Sequence, residues 1–144
     1  MTNLIQDASA AITELHQLTS GFGTGSTPDP HSVLGYQSKI VDLHSRLGQE
    51  MSRKFGGKES AYLTRKITEA KQYRHGRIEL KKTGGDSAQY ALEQVESDMI
   101  RENEAAEEYE SYRLMLQSLD RAFHHASQVI SFLGKAEGRS HSQQ

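Results

Sequence analysis

The chain has no cysteine and no tryptophan, and it has only two prolines in 144 residues. The absence of cysteine excludes disulfides, zinc-thiolate sites and thiol catalysis together. No apolar run approaches the roughly 20 residues that a membrane-spanning helix needs. The first residues lack a charged segment followed by an apolar one, so the sequence predicts no signal peptide. We therefore expect a cytoplasmic protein with no membrane contact.

Charge and hydrophobicity are unremarkable over the whole chain. The formal net charge is -2, charged residues make up 25% and hydrophobic residues 35%. A near-neutral net charge does not indicate binding to nucleic acid or to acidic ligands, so any such indication must come from local segregation of charge. A length of 144 residues fits one domain, and we expect a single helical domain over residues 1–134.

Apolar spacing and glycine or proline punctuation predict four helices, at about residues 3–19, 30–54, 59–82 and 86–133. Asp29 and Pro30 are a favourable N-cap and first helical residue for the second helix. Glycine pairs at Gly56 and Gly57 and at Gly84 and Gly85 predict the two later breaks. A three-residue step in the apolar repeat near residues 102–112 predicts a kink or local overwinding there. The polar residues 135–144 predict a disordered tail.

Helix lengths predict how these helices pack. The turn at residues 84 and 85 forces the third helix back along residues 86–110, and Leu63, Ile67, Ala70 and Ile78 supply its thin apolar seam. The C-terminal half of the last helix then needs the first two helices. The predicted fold is all-α, a small helical bundle from which an antiparallel coiled-coil hairpin projects. A core of short helices is modest, so we expect a homo-oligomer, with a dimer favoured.

The two arms of the predicted hairpin carry opposite charge. Residues 58–82 contain eight basic and three acidic residues, and residues 86–110 contain nine acidic residues and one basic residue. One interpretation is intramolecular pairing that fixes the register of the hairpin. The other is that basic residues on the outer side contact phosphates or a protein partner. The candidate residues for that contact are Arg65, Lys66, Arg74, Arg77, Lys81 and Lys82.

The acidic arm supports two further hypotheses. Glu104, Glu107 and Glu108 form a candidate surface that occupies a basic groove on a host nucleic-acid enzyme. Carboxylates at helical spacing also hold Mg²⁺ in all-helical nucleotide hydrolases, but neighbouring Lys and Arg compete for those oxygens. Asp120 and His124 share one helix face without an identifiable third ligand. We therefore predict no metal, no cofactor and no catalytic residues, and interpret the protein as a non-enzyme.

The glycine-rich segment at residues 21–27 lacks the lysine and the preceding strand of a phosphate-binding loop, so we interpret it as an interhelical loop. Residues 112–133, YRLMLQSLDRAFHHASQVISFL, resemble the ends of small helical proteins that bacteriophages encode in their early regions, beside recombination and single-strand-binding genes. The resemblance implies a setting in phage DNA replication or recombination, or in host takeover. Together with the charge pattern, it favours an accessory protein that contacts protein, DNA or both.

Overall fold

The structure, a computed structural model, describes residues 3–22, 24, 25 and 27–142, and the side chains only as far as residue 135. It contains four α-helices: α1 (Leu4–Thr19), α2 (Pro30–Ile78), α3 (Gly84–Gln94) and α4 (Glu96–Ser142). The described residues contain no β-strand, which confirms the all-α class. No helix in this part of the chain is long and apolar enough to cross a membrane.

Side-chain caps begin the first two helices. Asn3 precedes α1 and its Oδ1 accepts a hydrogen bond from the backbone N–H of Ile5 at 3.0 Å. Asp29 precedes α2, where its carboxylate accepts from the Ser32 hydroxyl at 2.9 Å and from the His31 backbone N–H at 3.4 Å. The bond from Ser32 is the main reason why the pKa of Asp29 is lowered.

Helix α2 is continuous where the sequence predicted a break. It runs 49 residues from Pro30 to Ile78 and includes Gly56 and Gly57 as ordinary helical residues. A glycine inside a helix costs only about 1 kcal/mol relative to alanine. Two glycines therefore weaken a helix locally without ending it, because the tertiary contacts on both sides hold the helical conformation.

The second predicted glycine break lies a few residues away from its expected place. Lys81 has a φ of +52°, in the left-handed region, and lies in the connection that follows α2. Thr83 caps α3 by accepting from the backbone N–H of Asp86 at 3.2 Å, and Gly84 is the first residue of α3. This helix therefore begins two residues before the predicted start at residue 86.

The helix also breaks at Val95, where the sequence did not predict a break. Val95 has φ -103° and ψ 12°, separates α3 from α4, and is fully buried. Helix α4 is helical throughout residues 102–112, where the sequence predicted a kink or overwinding. It also continues to Ser142 through most of the predicted tail, whereas residues 143 and 144 lie outside the described part.

The chain falls into two compact units, the first formed by Met1–Glu50 and Tyr112–Gln144 and the second by Met51–Ser111. The first unit is a helical bundle with an apolar interior. Its buried hydrophobic residues recur at steps of three and four and come from α1, the first part of α2 and the last part of α4. They are Ala8, Ala11, Leu15, Val33, Ile40, Leu43, Leu47, Leu116, Leu119, Ala122, Ala126, Val129 and Leu133.

The second unit has a thin interior made mostly of small residues. Gly76, Ser87, Ala91 and Val95 are its buried residues. Gly76 approaches α3 so closely that an added Cβ would lie 3.2 Å from the Cβ and Oγ of Ser87. An alanine at this position would fit only if Ser87 moved by a few tenths of an ångström.

Candidate interaction surface

Contacts within the second unit define which side of α2 faces α3 and α4. Phe55 lies against Tyr109 with ring centroids 5.7 Å apart, and His75 lies against Tyr90 at 6.2 Å. Between these two contacts, Arg65 pairs with Glu102. The partner numbers fall as the α2 numbers rise, so the helices pair in antiparallel order, which is compatible with the predicted hairpin.

Arg65 belongs to the interior of this pairing. Its guanidinium forms an ion pair with Glu102 on α4 and a second one with Glu69 one turn along α2, at 2.8 Å. Its side chain is only 15% exposed. The hydrogen bond to Glu102 is the main cause of a raised pKa for Arg65, which keeps the group charged. The structure therefore places this candidate contact residue in an intramolecular role.

The predicted apolar seam of this segment faces the opposite way. Leu63, Ile67 and Ile78 are 55%, 54% and 56% exposed. Each lies two residues from an inward-facing position, Arg65 or Gly76, and two residues correspond to about 200° around a helix. The inward side instead carries Arg65 and Gly76, so the prediction of packing inside the hairpin is wrong for Leu63, Ile67 and Ile78. Ala70 lines a depression together with Ala88 and Ala91 of α3.

Four of the remaining basic candidates are exposed and one is half-buried. Lys66 lies over the ring of Tyr62 at 5.8 Å, and Arg74 lines a shallow depression with Lys71 and Glu79. Both side chains are exposed to solvent. This part of α2 therefore presents positive charge that is not buried by α3 or α4.

The other three candidates lie around the connection between α2 and α3. Arg77 donates to the carbonyl oxygen of Lys82 at 3.2 Å. The ammonium of Lys82 lies 5.5 Å from the ring centroid of Tyr90, and Lys82 is half-buried. Lys81 and Arg77 are exposed. These contacts fix the backbone of the connection and leave two of the three cationic side chains in solvent.

The acidic candidates also divide into paired and exposed residues. Glu108 forms an ion pair with Lys54 at 2.6 Å, a contact between α4 and α2 within the second unit. Glu104 and Glu107 are exposed, and neither makes an ion pair within the described residues. The sequence analysis did not single out Glu102, the partner of Arg65, because no periodicity rule distinguishes it from its acidic neighbours.

Within the described residues, no group of three or more His, Asp or Glu side chains is arranged to hold a metal ion. Asp120, a candidate ligand with His124, instead contacts His44 Nε2 at 3.0 Å. In the same unit, His125 Nε2 lies 2.9 Å from the Thr19 hydroxyl and its ring stacks on His16. These histidines hold the helices of the first unit together.

Comparison with known proteins adds no family to this description. No protein-family model, no curated protein and no solved structure matches the chain.

Proposed function

We propose that the protein is a non-catalytic helical interaction protein, an accessory or modulator of phage DNA replication or recombination. It acts through protein contacts, DNA contacts or both. The setting in phage DNA metabolism rests on the resemblance of residues 112–133. The mode of action rests on charge, since Lys66, Arg74, Arg77 and Lys81 are exposed while Arg65 is internally paired.

The observation that carries this proposal is the position of these cations relative to the packed side of α2. Arg74 lies two residues from the buried Gly76 and therefore about 200° away from α3. A cation in that position lies outside the packed interior of the unit. Solvent-facing cations are available to phosphates or to carboxylates of a partner.

The test is DNA binding as a function of salt concentration for the wild-type chain and for Arg74→Glu/Arg77→Glu. Each lost phosphate contact reduces the slope of log affinity against log salt by about 1. We expect weaker binding and a slope smaller by about 2. Arg121→Glu, an exposed site in the first unit, is the matched control and should retain the wild-type slope. An unchanged slope in the double variant would remove DNA contact by this surface.

The exposed acidic side chains favour a second candidate function. Glu104 and Glu107 face solvent without an ion pair in the described chain, as expected for an inhibitor that occupies a basic groove on a host nucleic-acid enzyme. The test is capture of a host nucleic-acid enzyme by the wild-type chain and by Glu104→Gln/Glu107→Gln. Loss of the captured enzyme in the variant supports inhibition, and equal capture by both proteins contradicts it.

A further inference from the structure

One side of α2 in the second unit combines apolar and basic residues and packs against nothing in the described chain. Leu63, Ile67 and Ile78 are each more than half exposed, and Lys71, Arg74 and Arg77 are exposed beside them. We call this surface the basic edge. Leu63 and Ile67 are one turn apart, and Lys71 and Arg74 continue the same helix face as far as Ile78.

The opposite side of the same unit carries the complementary pattern. On α4, Ile100 and Glu104 each lie two residues from the inward-facing Glu102, and Glu107 lies two residues from Tyr109. On α3, Glu93 lies two residues from the buried Ala91. Ile100 is 53% exposed, and the three glutamates are exposed. We call this set, Glu93, Ile100, Glu104 and Glu107, the acidic edge.

Charges on the two edges form no ion pairs within the described residues. Lys54 with Glu108 and Arg65 with Glu102 are ion pairs that link α2 to α4 in the described part of this unit. No ion pair in the described part involves a charged residue of either edge. Arg77 donates to a backbone carbonyl, and Glu93 accepts from the Gln89 amide at 3.4 Å, so both keep their charge available.

We propose that the basic edge of one copy packs against the acidic edge of a second copy of the same chain. This inference rests on the proposed function, because it identifies a partner for the same exposed surface of α2. On the second copy, Glu104 and Glu107 follow Ile100 at the same steps of four and three residues by which Lys71 and Arg74 follow Ile67, so an apolar side chain can meet an apolar one and carboxylates can meet cations. Bound nucleic acid would cover the cations but leave Leu63, Ile67 and Ile78 in water, since phosphates do not bury apolar side chains.

The geometry determines the kind of assembly. The two edges are different surfaces on opposite sides of the second unit, so the contact is heterologous rather than self-complementary. A copy that joins through its basic edge leaves its acidic edge free, and a copy that joins through its acidic edge leaves its basic edge free. Copies therefore add in a row or close into a ring, and the assembly does not stop at two.

The test is the mass in solution, by sedimentation velocity, of the wild-type chain, of Ile67→Asp, of Ile100→Asp and of an equal mixture of the two variants. Each variant has one blocked edge and one intact edge. We expect the wild-type mass to rise with concentration beyond that of a dimer, and to fall when salt is raised from about 0.1 M to about 1 M. Each variant alone should remain at the chain mass of 16.1 kDa. The mixture should stop at twice that mass, because the blocked edges end the row.

Val41→Asp is the matched control. Val41 is 53% exposed on the same helix but belongs to the first unit, so the substitution should leave assembly unchanged. Circular dichroism of each variant should show wild-type helix content. A variant that loses helicity is replaced by Ile67→Gln or Ile100→Gln, which should weaken assembly in the same direction.

Three results would overturn the inference. They are a wild-type chain that stays at 16.1 kDa at every concentration, a wild-type mass that stops at a dimer, and a mixture that does not associate. The outcomes that refute the proposed function differ from those that refute self-association. A monomeric wild type whose DNA binding is sensitive to Arg74→Glu/Arg77→Glu refutes self-association and keeps the function. An assembling chain that binds neither DNA nor a host protein refutes the function and keeps the self-association.

Discussion

Replacing Gly56 and Gly57 with alanine should stabilise the protein, because both glycines lie inside α2. An ideal Cβ built at either position meets no atom within 4 Å, so the added methyl groups cause no clash. Alanine is favoured over glycine in a helix interior by about 1 kcal/mol. Neighbouring positions on a helix do not face each other, so the two gains should add to about 2 kcal/mol.

The free energy of unfolding is measured by urea titration followed by circular dichroism, together with the shift in Tm. A gain of about 2 kcal/mol corresponds to about 4–8 °C for a chain of this size. Because the chain has two compact units, amide hydrogen exchange at residues 52–60 shows whether the gain is local. Slower exchange at these amides is the expected result.

Gly48→Ala is the matched control. Gly48 lies in α2 and also has no atom within 4 Å of an added Cβ. The sequence-based helix over residues 30–54 and the observed helix both contain this position, so both predict a gain of about 1 kcal/mol. A gain at Gly48 with none at Gly56 and Gly57 would refute the continuous helix and restore the predicted break.

Two further predictions concern close contacts. Gly76→Ala should destabilise the protein by about 1 kcal/mol, because overpacking against Ser87 costs roughly 1–3 kcal/mol and exceeds the helix-propensity gain. Urea titration of this variant and of Gly48→Ala measures the change in the free energy of unfolding. If Gly76→Ala stabilised the protein as much as Gly48→Ala, the close approach of Gly76 to Ser87 would be contradicted. Folding lowers the pKa of Asp29, so the stabilisation from this carboxylate is present above the pKa of the unfolded chain and is lost as pH falls through the lowered folded value. An NMR titration of the Asp29 carboxyl should show the lowered pKa in the wild type and a pKa nearer that of a free carboxyl in Ser32→Ala. Equal pKa values in the two proteins would refute the role of Ser32.

The sequence was sufficient to predict the all-α class and the packed sides of the helices in the first unit. Apolar residues such as Leu15, Leu47 and Leu119 recur at helical steps and are fully buried or nearly so. In these helices the apolar stripe and the packed side coincide, since burying that stripe is the main favourable contribution to folding.

The second unit could not be predicted in the same way. Periodicity identifies the apolar stripe that contains Leu63 and Ile67, but it does not say what covers that stripe. Here the inward side is fixed by the close approach at Gly76 and by the ion pair of Arg65 with Glu102. Both are contacts between residues distant in sequence, and no local rule predicts them. The division of the basic and acidic candidates into paired and exposed residues follows from the same contacts.

Thiol labelling tests directly which side of α2 faces α3 and α4. The chain has no cysteine of its own, so each introduced thiol is the only one in the protein. Ile67→Cys and Val95→Cys are each made in the Ile100→Asp background, so that self-association covers neither site. The structure predicts that the exposed thiol at position 67 reacts much faster than the buried thiol at position 95, which reacts only through opening of the fold. A protected thiol at position 67, in a variant with wild-type helix content, would contradict the account.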